Sequence, residues 1–343
     1  MFFASKNNDI KQLIKNKRRR FTKYKAKKKT VSSPKFRLIL ITTIIFLLIT
    51  LFIIVIRKII NINTNFNSKS KTKVALCVVA KKENRYIKYF VEFYEKLGFN
   101  HIYFYDNNEI GDEAIDDLEI VKDGVKKGFI SVISYKDREK HLITRSYYDC
   151  YEKYNLEYDW ISFFDVDEYL ILEPKGISIQ EFLDNPRFQD CDNVKINWRV
   201  FTDNDQLDFE DRHPMERFPI ETSYKYENRH VKSTVRGRLN YKNYTKSYNP
   251  HNIWSDIKAC SSSGNKTNGG YYMYPPDFEC AYLNHYLTKS VREFFTKKYK
   301  TKVDVNTIPK NIKDYLFNYF FKVNTKTKEK VDIFNQIYNT NYQ

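Results

Sequence analysis

The sequence predicts an α/β domain, an open, mixed and mostly parallel sheet with flanking helices, preceded by one N-terminal transmembrane helix. Three observations predict it. Apolar runs of four to seven residues recur between residues 74 and 164, and each ends on polar or acidic residues. Segments with apolar residues at helical spacing lie between them. Upstream of both lies a run of nineteen residues without a charge, Leu38 to Ile56.

The chain begins with a basic tail. Residues 1–37 hold fourteen Lys or Arg and one acid, Asp9, so thirteen of the seventeen net positive charges sit there. The remainder is close to neutral, and the tail lacks regularly spaced aromatics for stacking bases, which excludes nucleic acid as the partner of the folded part. With 42% hydrophobic residues in a chain of 343, a sizeable core can form.

Residues 38–56 match the span of a bilayer core, which takes about 20 apolar residues, and a helix there satisfies its own backbone. A cleaved leader has an apolar stretch of only about 7–15 residues and a small-residue cleavage site; here Arg57-Lys58-Ile59-Ile60 follows instead. The basic flank stays cytoplasmic. The reading is a signal anchor of a single-pass type II protein of the secretory pathway, held in the lipid bilayer through residues 38–56. The sequons Asn243-Tyr244-Thr245 and Asn265-Lys266-Thr267 are compatible with a lumenal glycoprotein.

Residues 57–73 are polar and read as a stem. Val74–Ala80 is a continuous apolar run, the pattern of a strand buried on both faces. Tyr86, Phe90, Phe93 and Leu97 follow at helical spacing until Gly98. His101–Tyr105, Ile130–Ile133 and Ile161–Phe164 are further strands, with an amphipathic helix over about 140–155 before the last. In such sheets ligands sit beyond the carboxyl ends of the strands. Lys81, Glu83 and Asn84, then Asp106 and Asn107, then Asp165 and Asp167 fall at those ends. Residues 291–300 and 311–322 read as helices, and the last twenty residues carry no clear signal. The domain plan is a 1–37 tail, a 38–56 anchor, a 57–73 stem, a 74–300 main domain and a 301–343 helical extension.

Five cysteines, Cys77, Cys150, Cys191, Cys260 and Cys280, form no CxxC or Cys/His cluster, so no zinc site is expected. Cys260 and Cys280 bracket a polar, Gly-containing stretch and are the expected disulfide pair.

The strongest chemical signal is Phe163-Phe164-Asp165-Val166-Asp167-Glu168-Tyr169. Two carboxylates one residue apart leave an apolar strand directly. On an extended strand that spacing points both to one face. Without a cation their repulsion raises at least one pKa; a hard divalent ion with oxygen ligands resolves it and can also hold a diphosphate. An ordinary solvated acidic turn is the plainer alternative.

Several segments in order resemble one family. Val78-Val79-Ala80-Lys81-Lys82-Glu83-Asn84 resembles a first-strand "K-N/D-E" element, and Tyr89 to Gly98 resembles "W-x-x-Y-H-x-x-x-G", with Phe90 in place of Trp and the His replaced or absent. His101 to Asn107 resembles "h-h-x-h-Y-D-N" and Trp160 to Leu170 resembles "W-x-x-F-x-D-x-D-E-F/Y-L". Asn284-His285-Tyr286-Leu287-Thr288-Lys289-Ser290 resembles "x-H-Y-x-T-K-S". Residues 74–300 thus resemble the glycosyltransferases of GT-A fold that include glycosyltransferase family 92 and related family 2-like proteins.

The resemblance implies a GT-A-like fold, a Golgi location, a nucleotide-sugar donor that is UDP-linked, a glycan or glycoconjugate acceptor, and Mn²⁺ or Mg²⁺ as cofactor. Asp165 and Asp167 match its metal motif, and Lys81, Asn84, Asp106 and Asn107 match donor-side positions. A late histidine returning to the metal or diphosphate recurs in the family, which points to His285, with Lys289 beside it for a phosphate. A lone His among apolar residues is otherwise a packed core residue. His251 and Lys232-Ser233 are weaker candidates of the same kind. For the base that takes the acceptor proton, Asp205 is the choice, with Asp203, Glu216 and Glu221 as alternatives. Two other functions compete: a catalytically inactive, membrane-tethered carbohydrate-binding protein on the same fold, and a metal-dependent phosphoesterase. Retention of both Asp165 and Asp167 speaks against the first. Six histidines in all speak against the second, which needs more ligands for two metals.

Overall fold

A computed structural model describes residues 38, 43, 45–56, 72–109, 111–135, 142–268, 270–300 and 312–343. The chain divides into two compact units, Met1–Ser70 and Lys71–Gln343. Of the first, the described residues 38, 43 and 45–56 are helical, and their large apolar side chains from Ile45 to Ile56 are exposed. Among the described residues no helix is long and apolar enough to cross a membrane. The tail, nearly all of the stem and part of the expected anchor lie outside the described residues.

In the second unit, the first strand, β1 (Val74–Ala80), is buried on both faces, as its unbroken apolar run requires. Helix α1 (Asn84–Leu97) turns Tyr86, Ile87, Phe90, Val91 and Tyr94 to the core. It ends at Gly98, whose φ of 98° is left-handed and suits glycine. Then come β2 (His101–Asp106), α2 (Glu119–Lys126), β3 (Ile130–Ser134), α3 (Leu142–Tyr154) and β4 (Trp160–Phe163). Strands β3, β2, β1 and β4 pair side by side, all parallel. The expected parallel order holds in this half.

Beyond β4 the sheet becomes mixed. The remaining strands are β5 (Glu168–Leu172), β6 (Asn193–Val200), β7 (Val231–Arg236), β8 (Lys246–Asn249), β9 (Asn252–Trp254), β10 (Ala259–Ser261), β11 (Lys266–Thr267) and β12 (Ala281–His285). Strand β7 runs antiparallel between β4 and β6. Strand β12 lies parallel to β6 and antiparallel to β5. Short helices α4 (Ile179–Leu183) and α5 (Pro214–Arg217) occupy the connections.

Alternation along β1 divides the core. Val74, Leu76, Val78 and Ala80 join the α1 side, whereas Ala75 and Cys77 join the α3 side with Tyr147, Cys150 and Tyr151. Helices α6 (Val291–Lys300), α7 (Ile312–Val323) and α8 (Lys328–Tyr338) make a further cluster through Phe295, Phe320 and Phe334. Helix α8 falls where the sequence carried no signal.

The cysteine pairing differs from the expectation. Cys77 bonds Cys150, tying β1 to α3, Cys191 bonds Cys260, and Cys280 is free. The reason is strand register: β10 lies beside β6, with Cys260 opposite Val194, which brings Cys260 to Cys191, two residues ahead of β6.

Three histidines make the fold pH-sensitive. Burial pushes the pKa of His101, His213 and His251 below 6.5, that of His251 well below. They stay neutral in the fold and take up protons on unfolding, so stability falls as pH drops below about 6.5. Melting temperature measured from pH 7.5 to 5 should decline as the three histidines take up protons on unfolding; a flat profile would contradict this.

Candidate active site

The carboxyl ends of β1, β2 and β4 share one edge because the three strands are parallel. Asp165 and Asp167 stand at that edge, in a turn and not on extended strand: the Glu168 amide donates to the Asp165 carbonyl at 3.0 Å, and β5 starts at once. The expectation of two carboxylates on one strand face is therefore corrected. They take different partners.

Asp165 accepts from the Lys232 ammonium at 2.8 Å and from the Tyr147 hydroxyl at 3.1 Å. Lys232 reaches this edge because β7 is antiparallel to β4, with Ser233 opposite Phe163. It also lies 3.8 Å from Glu168, which is wholly buried. Burial above all, then the neighbouring acids, push the Glu168 carboxyl well up despite Lys232. Its Oε2 accepts from the Asp165 amide at 2.9 Å, and its Oε1 has no hydrogen-bond partner among the described residues.

Asp167 faces His285 Nε2 at 3.6 Å and Lys289 Nζ at 3.6 Å. Pairing of β12 with β5 sets His285 opposite Glu168, and the Tyr286 amide donates to the Asp167 carbonyl at 3.0 Å. Burial would raise the Asp167 pKa, but the Lys289 charge and then His285 hold it well below the usual range. Repulsion between the two aspartates does not govern this site, because two lysines already supply the countercharge.

A cleft of about 910 Å³ opens beside Asp167, between the loops after β1 and β2 and helix α6. That volume lies in the range of small-molecule sites. Asn84, Asp167 and Lys289 line it, with Lys82, Arg292 and Lys297 adding cationic groups. Glu83 accepts from Lys289 at 2.5 Å and from Lys297. Lys82 and Lys289 both hold left-handed backbone, φ 54° and 52°, a strained state for non-glycine residues that concentrates at functional sites.

The other expected residues fall into place around this edge. Asn84 donates to the Glu113 carbonyl at 2.8 Å and accepts from Asn108 at 3.0 Å. Lys81 pairs with Glu109 at 3.4 Å. Asp106 is buried and accepts from the Asn108 and Ile115 amides, so it shapes the loop after β2. Asn107 donates to the Tyr135 carbonyl at 2.8 Å. His251 lies deeper, its ring against Trp198 and its Nδ1 2.9 Å from the Val231 carbonyl. Sequence reading passed over Trp198, Tyr147 and Lys297, which no local motif marks.

Asp205 stands apart. Its carboxylate accepts from Lys330 of α8 at 2.7 Å, beside Asp203, which the same ammonium holds at 2.8 Å. Glu221 is engaged by Arg199 and Lys225, and Glu216 lies in α5. No contact described for Asp205 reaches Asp165, Asp167 or His285. Its side chain is 74% exposed, so Asp205→Asn should cost at most about 1 kcal/mol and leave the turnover number within about twofold. A loss of a hundredfold or more in the folded variant would restore Asp205 as a base.

Among the described residues no group of three or more His, Cys, Asp and Glu is arranged to hold a metal ion. Two protein donors do converge. Asp167 Oδ1 and His285 Nε2 are 3.6 Å apart, too far for a hydrogen bond and close to the spacing of two ligands on one cation, and His285 Nδ1 is buried without a hydrogen-bond partner among the described residues. Mg²⁺ and ions like it are held by one or two carboxylates plus substrate phosphates and waters, so this donor pair fits such an ion.

A model of glycosyltransferase family 92 matches residues 72–319. Among solved structures, the chain is similar to S. aureus TarS, residues 1–349, at 12% identity and a TM-score of 0.35, over 78% of this chain and 71% of that one. It is also similar to the galactosyltransferase LgtC in complex with donor and acceptor sugar analogs, at 10% identity and a TM-score of 0.29, over 76% and 99% of the two chains. The bifunctional glycosyltransferase WbbM matches over 38% of this chain and 24% of its own, at 11% identity and a TM-score of 0.23. No curated protein sequence matches.

Proposed function

The chain belongs to glycosyltransferase family 92 and is a glycosyltransferase, and from that premise we propose that it transfers a sugar from a UDP-linked donor to a glycan or glycoconjugate acceptor. The observation that carries this reading is the cleft of about 910 Å³ beside Asp167, at the carboxyl ends of parallel strands. Asn84, Lys289 and Arg292 line it and suit a nucleoside diphosphate: an amide for ribose or base, cations for phosphates. Lys81, Asp106 and Asn107 hold the loops that form its rim.

Asp167 and His285 would hold Mn²⁺ or Mg²⁺, with Asp165 beside them at the same strand edge, paired with Lys232. Such an ion acts as a Lewis acid on the departing diphosphate. The protein's part is positional. Lys289, set between Glu83 and Asp167, places a point charge where the diphosphate leaves. The Tyr147 hydroxyl and the Lys232 ammonium fix the Asp165 carboxylate.

The anchor belongs to the same reading. Exposed apolar side chains on helical residues 45–56, the basic tail and the exposed sequon residues Asn243 and Asn265 support an N-in, lumenal type II protein of the Golgi. Protease protection on sealed microsomes tests it; digestion of the C-terminal domain without detergent would reverse the topology.

The decisive experiment screens nucleotide-sugar donors for turnover by the full chain with Mn²⁺, Mg²⁺ or chelator, alongside calorimetry of UDP with each metal. Metal-dependent turnover and UDP binding are expected. Glycan binding without any turnover would favour an inactive binding protein. Full activity in excess chelator would remove the metal from the scheme.

A further inference from the structure

We propose that Tyr226, Arg229, Tyr271 and Tyr272 form the platform on which the acceptor glycan lies, a deepening that rests on the sugar-transfer reading above. Asp167 has two sides. One lines the donor cleft; the other faces His285. From His285 a continuous row of rings leads outward. Its ring lies 4.1 Å from Trp198, Trp198 stacks on His230 at 4.8 Å, and His230 meets Tyr272 edge-on at 4.7 Å. None of these residues lines the cleft, so the row approaches Asp167 from the side the donor leaves open.

The row ends on rings left in water. Tyr226, Tyr271 and Tyr272 are 52%, 44% and 41% exposed. They are nonetheless held still. The Arg229 guanidinium is clamped between the Tyr226 and Tyr272 rings, 3.6 Å and 3.9 Å from their centres, and donates to the Tyr226 hydroxyl. The Met273 amide donates to the Arg229 carbonyl at 2.8 Å, and Asn197 of β6 donates to the carbonyls of Met273 and Asn228. The sheet thus fixes both tyrosine-bearing loops. Grouped exposed aromatics of this kind mark a binding surface.

The chemistry selects the ligand. A pyranose has a face of C–H groups and a rim of hydroxyls. A tyrosine ring matches the face by its π cloud, and its hydroxyl meets the rim. Among the described residues no carboxylate pairs with Arg229, and its buried Nε lacks a hydrogen-bond partner, so the clamp keeps an uncompensated charge at the centre of the platform. The surface suits a glycan chain whose terminal hydroxyl extends along the ring row toward Asp167.

The test uses the full chain and an array of neutral and acidic oligosaccharides of two to six sugars, read for binding and for transfer. Tyr226→Ala with Tyr272→Ala should weaken acceptor binding, and raise the acceptor KM, by about tenfold or more. Donor hydrolysis without acceptor, donor KM and melting temperature should hold. Tyr272→Phe keeps the stacking face and should stay within about threefold of wild type. Unchanged acceptor binding in the folded double variant, or no glycan bound by wild type, would overturn the platform. Absence of any donor turnover by wild type would overturn the sugar-transfer reading instead, and array binding would still decide the platform.

Discussion

Asp167→Asn should lower turnover by about a thousandfold, because the carboxylate that meets His285 and the donor cleft would lose the charge needed to hold a divalent ion, a contribution of several kcal/mol to charge stabilisation. Binding of UDP in the presence of Mn²⁺ should fall with it, and metal-free UDP binding should change little. The stability effect runs against the expectation from repulsion between Asp165 and Asp167, under which neutralising either would hold or raise stability. Lys289 keeps Asp167 ionised well below its ordinary range. The sign follows: a depressed carboxylate stabilises the fold above its unfolded pKa, and that stability is lost as pH falls below about 4. Asp167→Asn should therefore cost about 1–2 kcal/mol at neutral pH, less than the full loss of a buried pair because Glu83 still holds Lys289. It should also flatten the acid limb of the stability curve. Calorimetric melting from pH 7 to 3, beside metal and UDP titrations, checks both parts. Wild-type turnover in the Asn variant would end the proposed metal role, and an unchanged acid limb would end the electrostatic one.

The sequence made the first half of the sheet legible because each parallel strand is buried on both faces and so is written as an unbroken apolar run, Val74–Ala80 being the plainest. Helix α1 was legible from its one apolar face and its terminal Gly98. Helix α2 escaped because eight residues with two buried positions leave too short a pattern. The Asp-Val-Asp motif was visible as chemistry but not as geometry. Whether it continues the strand or turns depends on β5 folding back beside β12, a pairing that joins residues 168–172 to 281–285. The cysteines failed for the same reason: Cys260 finds Cys191 through the register of β10 on β6. Asp205 looked like a base because it follows a strand, but its partner Lys330 lies 125 residues further on. Lys232 was legible only as a weak candidate beside Ser233, because its partner Asp165 is set against it by the pairing of β7 with β4.

Lys232→Met should be the most destabilising single change at the site. The ammonium is 1% exposed, 2.8 Å from Asp165 and 3.8 Å from Glu168. Burial disfavours its charge, yet the two acids together raise its pKa. Methionine fills nearly the same space, so the packing around Tyr147 survives while the cation is lost. What remains is Asp165 and a wholly buried Glu168 with no countercharge between them. Removing one partner of a buried pair costs about 3–5 kcal/mol, which for a domain of this size lowers the melting temperature by roughly 10 °C. Glu168 limits the damage, since its carboxyl is already drawn toward the protonated form, and a neutral acid needs no cation. That gives the cycle its second arm. Glu168→Gln should be mild alone and should recover part of the loss when combined with Lys232→Met, a coupling of about 1–3 kcal/mol. Asp165 would remain unpaired in the double variant, so turnover should stay low while stability returns. Thermal melts of the four proteins, read with donor turnover, separate the structural role of Lys232 from its hold on Asp165. A Lys232→Met variant that melts within about 2 °C of wild type, about 1 kcal/mol or less, would show that this buried lysine does not balance the acidic turn.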